Sequence, residues 1–173
     1  YTTPSEFTIQ YYNETFNPKN ITRAWYIIEP FGAKDGPAHT IISFDFSDGK
    51  HLSISPEIRK EKGESFSAIN GLFNQYEIVY MIGNERDLLR LRSNYRNNDV
   101  YMYPLKISEQ GLQDLFLSMI KRAERLRTQP EFYHTIWNTC VTSLQGHANH
   151  LLEKNIHWSK KILLPQTSDE ILF

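Results

Sequence analysis

The stretch Ala38-His39-Thr40-Ile41-Ile42-Ser43-Phe44-Asp45-Phe46-Ser47-Asp48-Gly49-Lys50-His51-Leu52-Ser53-Ile54-Ser55-Pro56-Glu57-Ile58 reads as a β-hairpin. Two alternating runs flank an Asp-Gly pair, and glycine supplies the positive φ that a tight hairpin turn needs. Side chains alternate faces along a strand. Thr40, Ile42, Phe44 and Phe46 therefore share the more apolar face of the first strand, and His39, Ile41, Ser43 and Asp45 share the other. In the returning strand Leu52, Ile54, Pro56 and Ile58 oppose His51, Ser53, Ser55 and Glu57. With both apolar faces on one core, His39 lies on the same side as Ser55 and Glu57. Antiparallel pairing sets it near the end of the second strand, where Glu57 stands. A carboxylate or hydroxyl at that place fixes a histidine's tautomer and stabilises its charged form.

Working outward, residues 23–28 read as a strand and residues 6–12 as a weak edge strand, with a turn-rich stretch over 30–37. Residues 61–70 read as a loop, and 76–82, 87–92 and 100–107 as further strands. Ser108 caps a helix running to about residue 127, because Leu112, Leu115, Phe116, Met119, Ile120 and Ala123 recur at helical spacing. Pro130 stops it. A second helix starts near Cys140 and runs through Leu144, Ala148, Leu151 and Leu152 to about residue 154, and the tail from 162 has no clear period. Strands followed by helices predict an α+β fold, an antiparallel sheet packed with helices. The 173 residues suffice for one domain, 1–173, with a real core.

Composition excludes several classes. A net charge of −1 without a basic stripe argues against nucleic acid as a partner. The cluster Lys121-Arg122-Ala123-Glu124-Arg125-Leu126-Arg127 reads as the solvated face of a helix. No run approaches the roughly 20 apolar residues of a membrane span. The first residues do not resemble a signal peptide, and the chain starts without Met, so it reads as a mature or excised portion. Sequons at Asn13 and Asn20 are chance matches. There is no glycine-rich phosphate loop, G-x-S-x-G elbow or zinc-finger spacing. No cofactor is expected, and no metal: His147 and His150 are three apart but lack a carboxylate at the right spacing.

Cys140 is the only cysteine. A lone thiol makes no internal disulfide and no zinc cage, so it is either a small buried hydrophobe or a nucleophile. Asn138 and Thr139 are helix-starting residues, and a helix N-terminus favours thiolate over thiol. A thiol nucleophile needs a base within reach and a group that orients the base. His39, His51, His134, His147, His150 and His157 compete for the first role. The hairpin favours His39, with Glu57 or Ser55 as orienter. His51 is the rival orienter, although its place beside the turn suggests exposure. In the structural alternative Glu57 pairs with Arg59 or Lys60, and His134 caps the turn before Cys140.

The run Ala38-His39-Thr40, Phe44, Gly49, Leu52-Ser53-Ile54-Ser55-Pro56-Glu57-Ile58-Arg59-Lys60-Glu61 and Gly63-Glu64 resembles the Lnb N-terminal periplasmic domain family. So do Gly71-Leu72-Phe73, Gln75-Tyr76-Glu77-Ile78-Val79-Tyr80, Glu85-Arg86-Asp87, Leu91-Arg92 and Phe132-Tyr133 with Cys140. These matches span roughly residues 35–150. The family often places Asn directly before the cysteine and after the tyrosine; here Thr139 and His134 stand there, with Asn138 displaced by one.

The resemblance implies a bacterial envelope protein with a circularly permuted, NlpC-type papain-like fold, in which the histidine strand precedes the cysteine helix and a polar orienter follows on the next strand. His39, Glu57 and Cys140 match that order. It also implies thioester chemistry on an acyl group, as in lipoprotein transacylases. The expected function is a periplasmic cysteine-dependent acyltransferase or hydrolase acting on lipoprotein or lipid acyl groups, at or near a membrane surface. Cys140 is the expected nucleophile, His39 the base, and Glu57 or Ser55 the orienter. The competing readings are a cell-wall peptide amidase or cysteine peptidase, and a non-catalytic envelope binding module with an inert, packed thiol. Oligomeric state is not legible in the residues.

Overall fold

The computed structural model describes residues 11–31, 38–59 and 67–151. A 3-10 turn, Pro18–Asn20, capped by Asn17, leads into β1 (Ile21–Pro30). Then come β2 (Ala38–Phe46), β3 (His51–Arg59), the short helix α1 (Ala68–Leu72), β4 (Tyr76–Asn84) and α2 (Glu85–Arg90). A π-helical turn, Leu91–Tyr95, continues α2. β5 (Tyr101–Pro104), α3 (Glu109–Thr128), β6 (Phe132–Tyr133) and α4 (Cys140–Asn149) complete the described chain. The strands form one antiparallel sheet in the order β5-β1-β2-β3-β4-β6, so the fold is α+β as expected.

The predicted hairpin is present. Gly49 takes φ +82°, the conformation for which the Asp-Gly is suited. The β2–β3 ladder runs from Asp45↔His51 to Ile42↔Ile54. Continuing that register would set Thr40 opposite Pro56, and proline has no N–H to give a ladder. Residues 38–41 instead pair only with β1, and 55–59 only with β4. The hairpin thus opens at the end carrying His39 and Glu57.

One sheet face bears Ala24, Tyr26, Ile28, Ile42, Phe44, Ile54, Ile78 and Tyr80, and α3 and α4 pack on it. Phe116 of α3 meets Phe44 edge-on at 5.2 Å and Phe46 at 5.9 Å. Phe44 and Met119 are fully buried, and a side chain of that size stabilises the fold by about 1.5–3 kcal/mol when buried. The opposite face is more polar. It carries His39, Ser43, Ser53, Ser55 and Glu29, with α2 packed against β3 and β4 and its π-helical continuation reaching Glu57 of β3 through Arg92.

Two strand readings are corrected. Residues 87–92 are helical, because Asn84 caps α2 by accepting from the Arg86 N–H, and Glu85 and Asp87 suit a helix's first turn. Of 100–107 only Tyr101–Pro104 is strand, paired with β1. Residues 11 and 12 are not in a strand, and 6–10 lie outside the described residues. The stretch read as a loop over 61–70 contains α1 at its end, with 61–66 outside the described residues. α4 ends at Asn149, and the continuation expected to about 154 lies mostly outside them. β6 was not expected from the sequence.

Candidate active site

α4 begins at Cys140 because Thr139 and Thr142 form a reciprocal cap. Thr142 N–H donates to Thr139 Oγ1 at 3.2 Å, and Thr139 N–H donates to Thr142 Oγ1 at 2.7 Å. Cys140 therefore occupies the first helical position, where backbone N–H groups have no intrahelical acceptor. The turn before it is also built locally. His134 Nδ1 accepts from the N–H of Ile136, and its backbone bridges Asn138. Asn138 donates to Phe132 O at 2.8 Å and accepts from Arg122 at 2.9 Å. Thr135 N–H donates to Gly71 O, and a Cβ at Gly71 would collide with Thr135 Oγ1 and crowd the Tyr133 ring. Glycine is required there so that α1 can approach the Cys140 turn.

The half-buried thiol meets the opened end of the hairpin. Cys140 Sγ lies 4.0 Å from Ala38 O. Burial alone would push the thiol up, but a hydrogen bond to His39, the charge of His39, and the hydroxyl and N–H of Thr40 outweigh it and hold Cys140 below the ordinary thiol value. The Thr40 hydroxyl is fully buried and has no hydrogen-bond partner among the described residues.

His39 is the histidine brought to the thiol. Its Nε2 lies 2.6 Å from Ser55 Oγ and 3.0 Å from Glu57 Oε1. Burial disfavours the imidazolium. The charge of Glu57 and hydrogen bonds to Cys140 and Glu57 overcome that and raise His39 to about 10. Conversely, burial works against the Glu57 carboxylate, but His39, Arg92 and Ser55 bring it down to about 2. Donors and acceptors run in one direction: His39 to Ser55 and Glu57, and Ser55 O–H to Glu57 Oε1 at 2.8 Å. Both candidate orienters therefore touch the ring, and Ser55 also bridges it to Glu57. Arg59 pairs with Glu77, not with Glu57.

The other histidines lie elsewhere. His51 is exposed at the turn end, 2.8 Å from Asp45. His147 Nε2 shares a hydrogen bond with Tyr80 and its Nδ1 one with Ser118, both at 2.9 Å. His157 lies outside the described residues. Among the described residues no three His, Cys, Asp or Glu side chains converge as a metal site, and no helix is long and apolar enough to cross a membrane.

Sequence reasoning missed Glu29 and Arg92. Glu29 is the cross-strand partner of His39, so extending β1 by one residue places an acid beside the histidine. Arg92 carries no such signal, since residues 87–92 read as strand.

Fold and site together define an α+β domain in which a helix-start cysteine meets a strand histidine backed by a carboxylate. The chain belongs to the Lnb N-terminal periplasmic domain family, whose model matches residues 7–170, and the domain is accordingly periplasmic. No curated protein and no solved structure matches it.

Proposed function

We propose that residues 1–173 act as one periplasmic thiol-enzyme domain that transfers or hydrolyses an acyl group through a thioester, with the permuted papain-like arrangement. The observation that carries this reading is the placement of Cys140 at the first position of α4 beside His39, whose Nε2 lies 2.6 Å from Ser55 Oγ and 3.0 Å from Glu57 Oε1, with the thiol held below and the imidazole above their ordinary values. Such a pair holds a thiolate and an imidazolium near neutral pH.

Chemically, the Cys140 thiolate attacks the acyl carbonyl, forming a C–S bond. The N–H groups of Cys140 and Val141, in the first turn of α4, suit the developing oxyanion. As the C–O or C–N bond breaks, the His39 imidazolium gives its proton to the leaving group. The neutral imidazole then takes a proton from an incoming water or amine, which attacks the thioester and releases the thiolate. Glu57 and Ser55 hold the ring throughout.

An acyl chain of a lipid or lipoprotein is the preferred substrate over a cell-wall peptide. Large apolar side chains stand exposed around this end of the sheet: Phe31 beyond β1, Phe73 after α1, Phe132 in β6 and Trp137 before α4. Apolar side chains exposed on four segments that flank the site suit an apolar substrate or a membrane surface better than a polar peptide cleft.

The test is the rate of Cys140 alkylation across pH in the folded wild type and in His39→Ala. The expected result is fast labelling with a midpoint well below an ordinary thiol's, lost in H39A. Slow labelling that accelerates only on unfolding would overturn the enzyme reading. A rapidly labelled wild type then justifies assay with ester-linked acyl donors, where H39A is expected to lose about 10²–10⁴-fold in turnover.

A further inference from the structure

Arg92 lies in the π-helical turn that extends α2, and only 3% of its side chain is exposed. Buried guanidinium groups are costly unless every N–H is matched. Its Nη1 donates to Leu88 O at 2.7 Å, and its Nη2 donates to Glu57 Oε1 at 2.6 Å. Its Nε stands 2.8 Å from Glu29 Oε2 as an ion pair, without the alignment of a hydrogen bond. Glu29 is 1% exposed, and its Oε1 accepts from Asn98 Nδ2 at 2.7 Å. The Asn98 N–H returns to Arg92 O at 3.0 Å, closing a ring of contacts between the π-turn and β1. π-helical turns are rare and concentrate at functional sites.

This ring has a consequence for His39. A single oxygen, Glu57 Oε1, receives Arg92, Ser55 and His39. The Glu57 side chain is 29% exposed, so without a fixed partner it is free to turn to solvent. The partner fixed by burial on the far side is Arg92. We infer that Arg92, braced by Glu29, is a positioning residue that pins the Glu57 carboxylate and through it the His39 ring; this rests on the thiol-enzyme reading above.

The charged and titratable groups facing this cluster come from each element around it. Glu29 is on β1, His39 on β2, Glu57 on β3, Arg92 and Arg96 on the π-turn and its end, Tyr133 on β6, where burial and the Cys140 charge push its phenol up, and Cys140 on α4. Arg96 Nη1 is 3.7 Å from Glu29 Oε1, and Arg59 is turned away to Glu77. Two effects of Arg92 oppose each other. Its positive charge disfavours the imidazolium, whereas its grip on Glu57 favours it. Positioning requires the second to win, so removing Arg92 must weaken the thiolate.

The experiment follows iodoacetamide alkylation of Cys140 across pH in the full chain, for wild type, R92M, R92K, E29Q, E57Q and the R92M/E57Q double variant. R92M is expected to move the thiolate midpoint up by about one unit, which is about a tenfold slower reaction at pH 6. R92K, which keeps the charge but loses the fork, falls between R92M and wild type. E29Q shifts the midpoint in the same direction by less. The double variant matches E57Q alone, because Arg92 acts through Glu57. Profiles of R92M, R92K and E29Q that superimpose on wild type overturn the inference, and so does a midpoint moved down. If R92M lacks a native near-ultraviolet spectrum, R92K and E29Q decide by the same criterion. A wild-type midpoint at the ordinary thiol value overturns the thiol-enzyme reading itself, and this inference with it.

Discussion

The His39 ring has two orienters within reach, and they differ in kind. Glu57 brings a negative charge 3.0 Å from Nε2, whereas Ser55 brings a neutral hydroxyl at 2.6 Å. An opposite charge within hydrogen-bond distance changes a histidine by roughly one to three units, whereas one neutral hydrogen bond contributes about 0.5–1.5 kcal/mol. Glu57→Gln is therefore predicted to slow Cys140 alkylation at pH 6 by about 10- to 100-fold. Ser55→Ala is predicted to slow it by only about 3- to 10-fold, since Glu57 Oε1 already touches Nε2. Stopped labelling at pH 6 checks the order, and a larger loss in S55A would make Ser55 the principal orienter. This residue-scale layout was legible in alternation alone, because one strand parity puts His39, Ser55 and Glu57 on one side. Thr40 was not legible as a thiol partner. Its side chain lies on the apolar face, and only the packing of α4 against β2 brings Cys140 near it.

At the scale of elements, two local devices bring the thiol to the histidine. Pro56 lacks the donor that would continue the β2–β3 ladder, and the capping box of α4 starts the helix at Cys140. Thr139→Ala removes one half of that box. It is predicted to cost about 0.5–2 kcal/mol of stability, the usual range for an N-cap, visible as a lower midpoint in thermal or urea unfolding. Below that midpoint its thiol is expected to label more slowly at pH 6 than wild type, as the helix start frays away from His39. An unchanged unfolding midpoint would mean that Asn138 and His134 hold the turn without the cap. The helix start was readable from Asn138 and Thr139. The helical nature of 85–95 was not, since Leu88, Leu89 and Leu91 fit a short strand as well as a helix, and the deciding signal is the Asn84 cap.

For the molecule as a whole, His147 ties three elements together. It sits on α4 and bonds Tyr80 of β4 and Ser118 of α3, so it sets how the Cys140 helix lies on the sheet. Burial, followed by the charges of Arg122, His150 and Arg125, brings His147 down to about 4. The unfolded imidazole takes a proton near 6.5. Between those values the unfolded chain binds a proton that the fold refuses, so stability falls as pH drops from about 6.5 towards 4. Glu57 acts lower. Its contribution is present above about 4.5 and is lost as pH falls through about 2. His147→Gln is predicted to cost about 1–3 kcal/mol at pH 7, by leaving buried partners poorly matched, and to lose less than wild type between pH 7 and pH 5. Urea unfolding at both pH values checks this, and an equal loss in both proteins would assign the slope to other groups.

The sequence by itself determined the antiparallel hairpin, the face that His39 shares with Ser55 and Glu57, the long helix α3 and the helix start at Cys140. Each of these rests on a short period, a turn dipeptide or a cap, all written within a few neighbouring residues. It also carried the family, through motifs spread from His39 to Cys140. Only the tertiary structure decided which histidine meets the thiol, and that Arg92 and Glu29 stand behind Glu57. Those contacts join residues far apart in the chain, across strands whose neighbours are set by sheet order. Packing on two faces decides them, and no local pattern encodes which buried charge will find which partner.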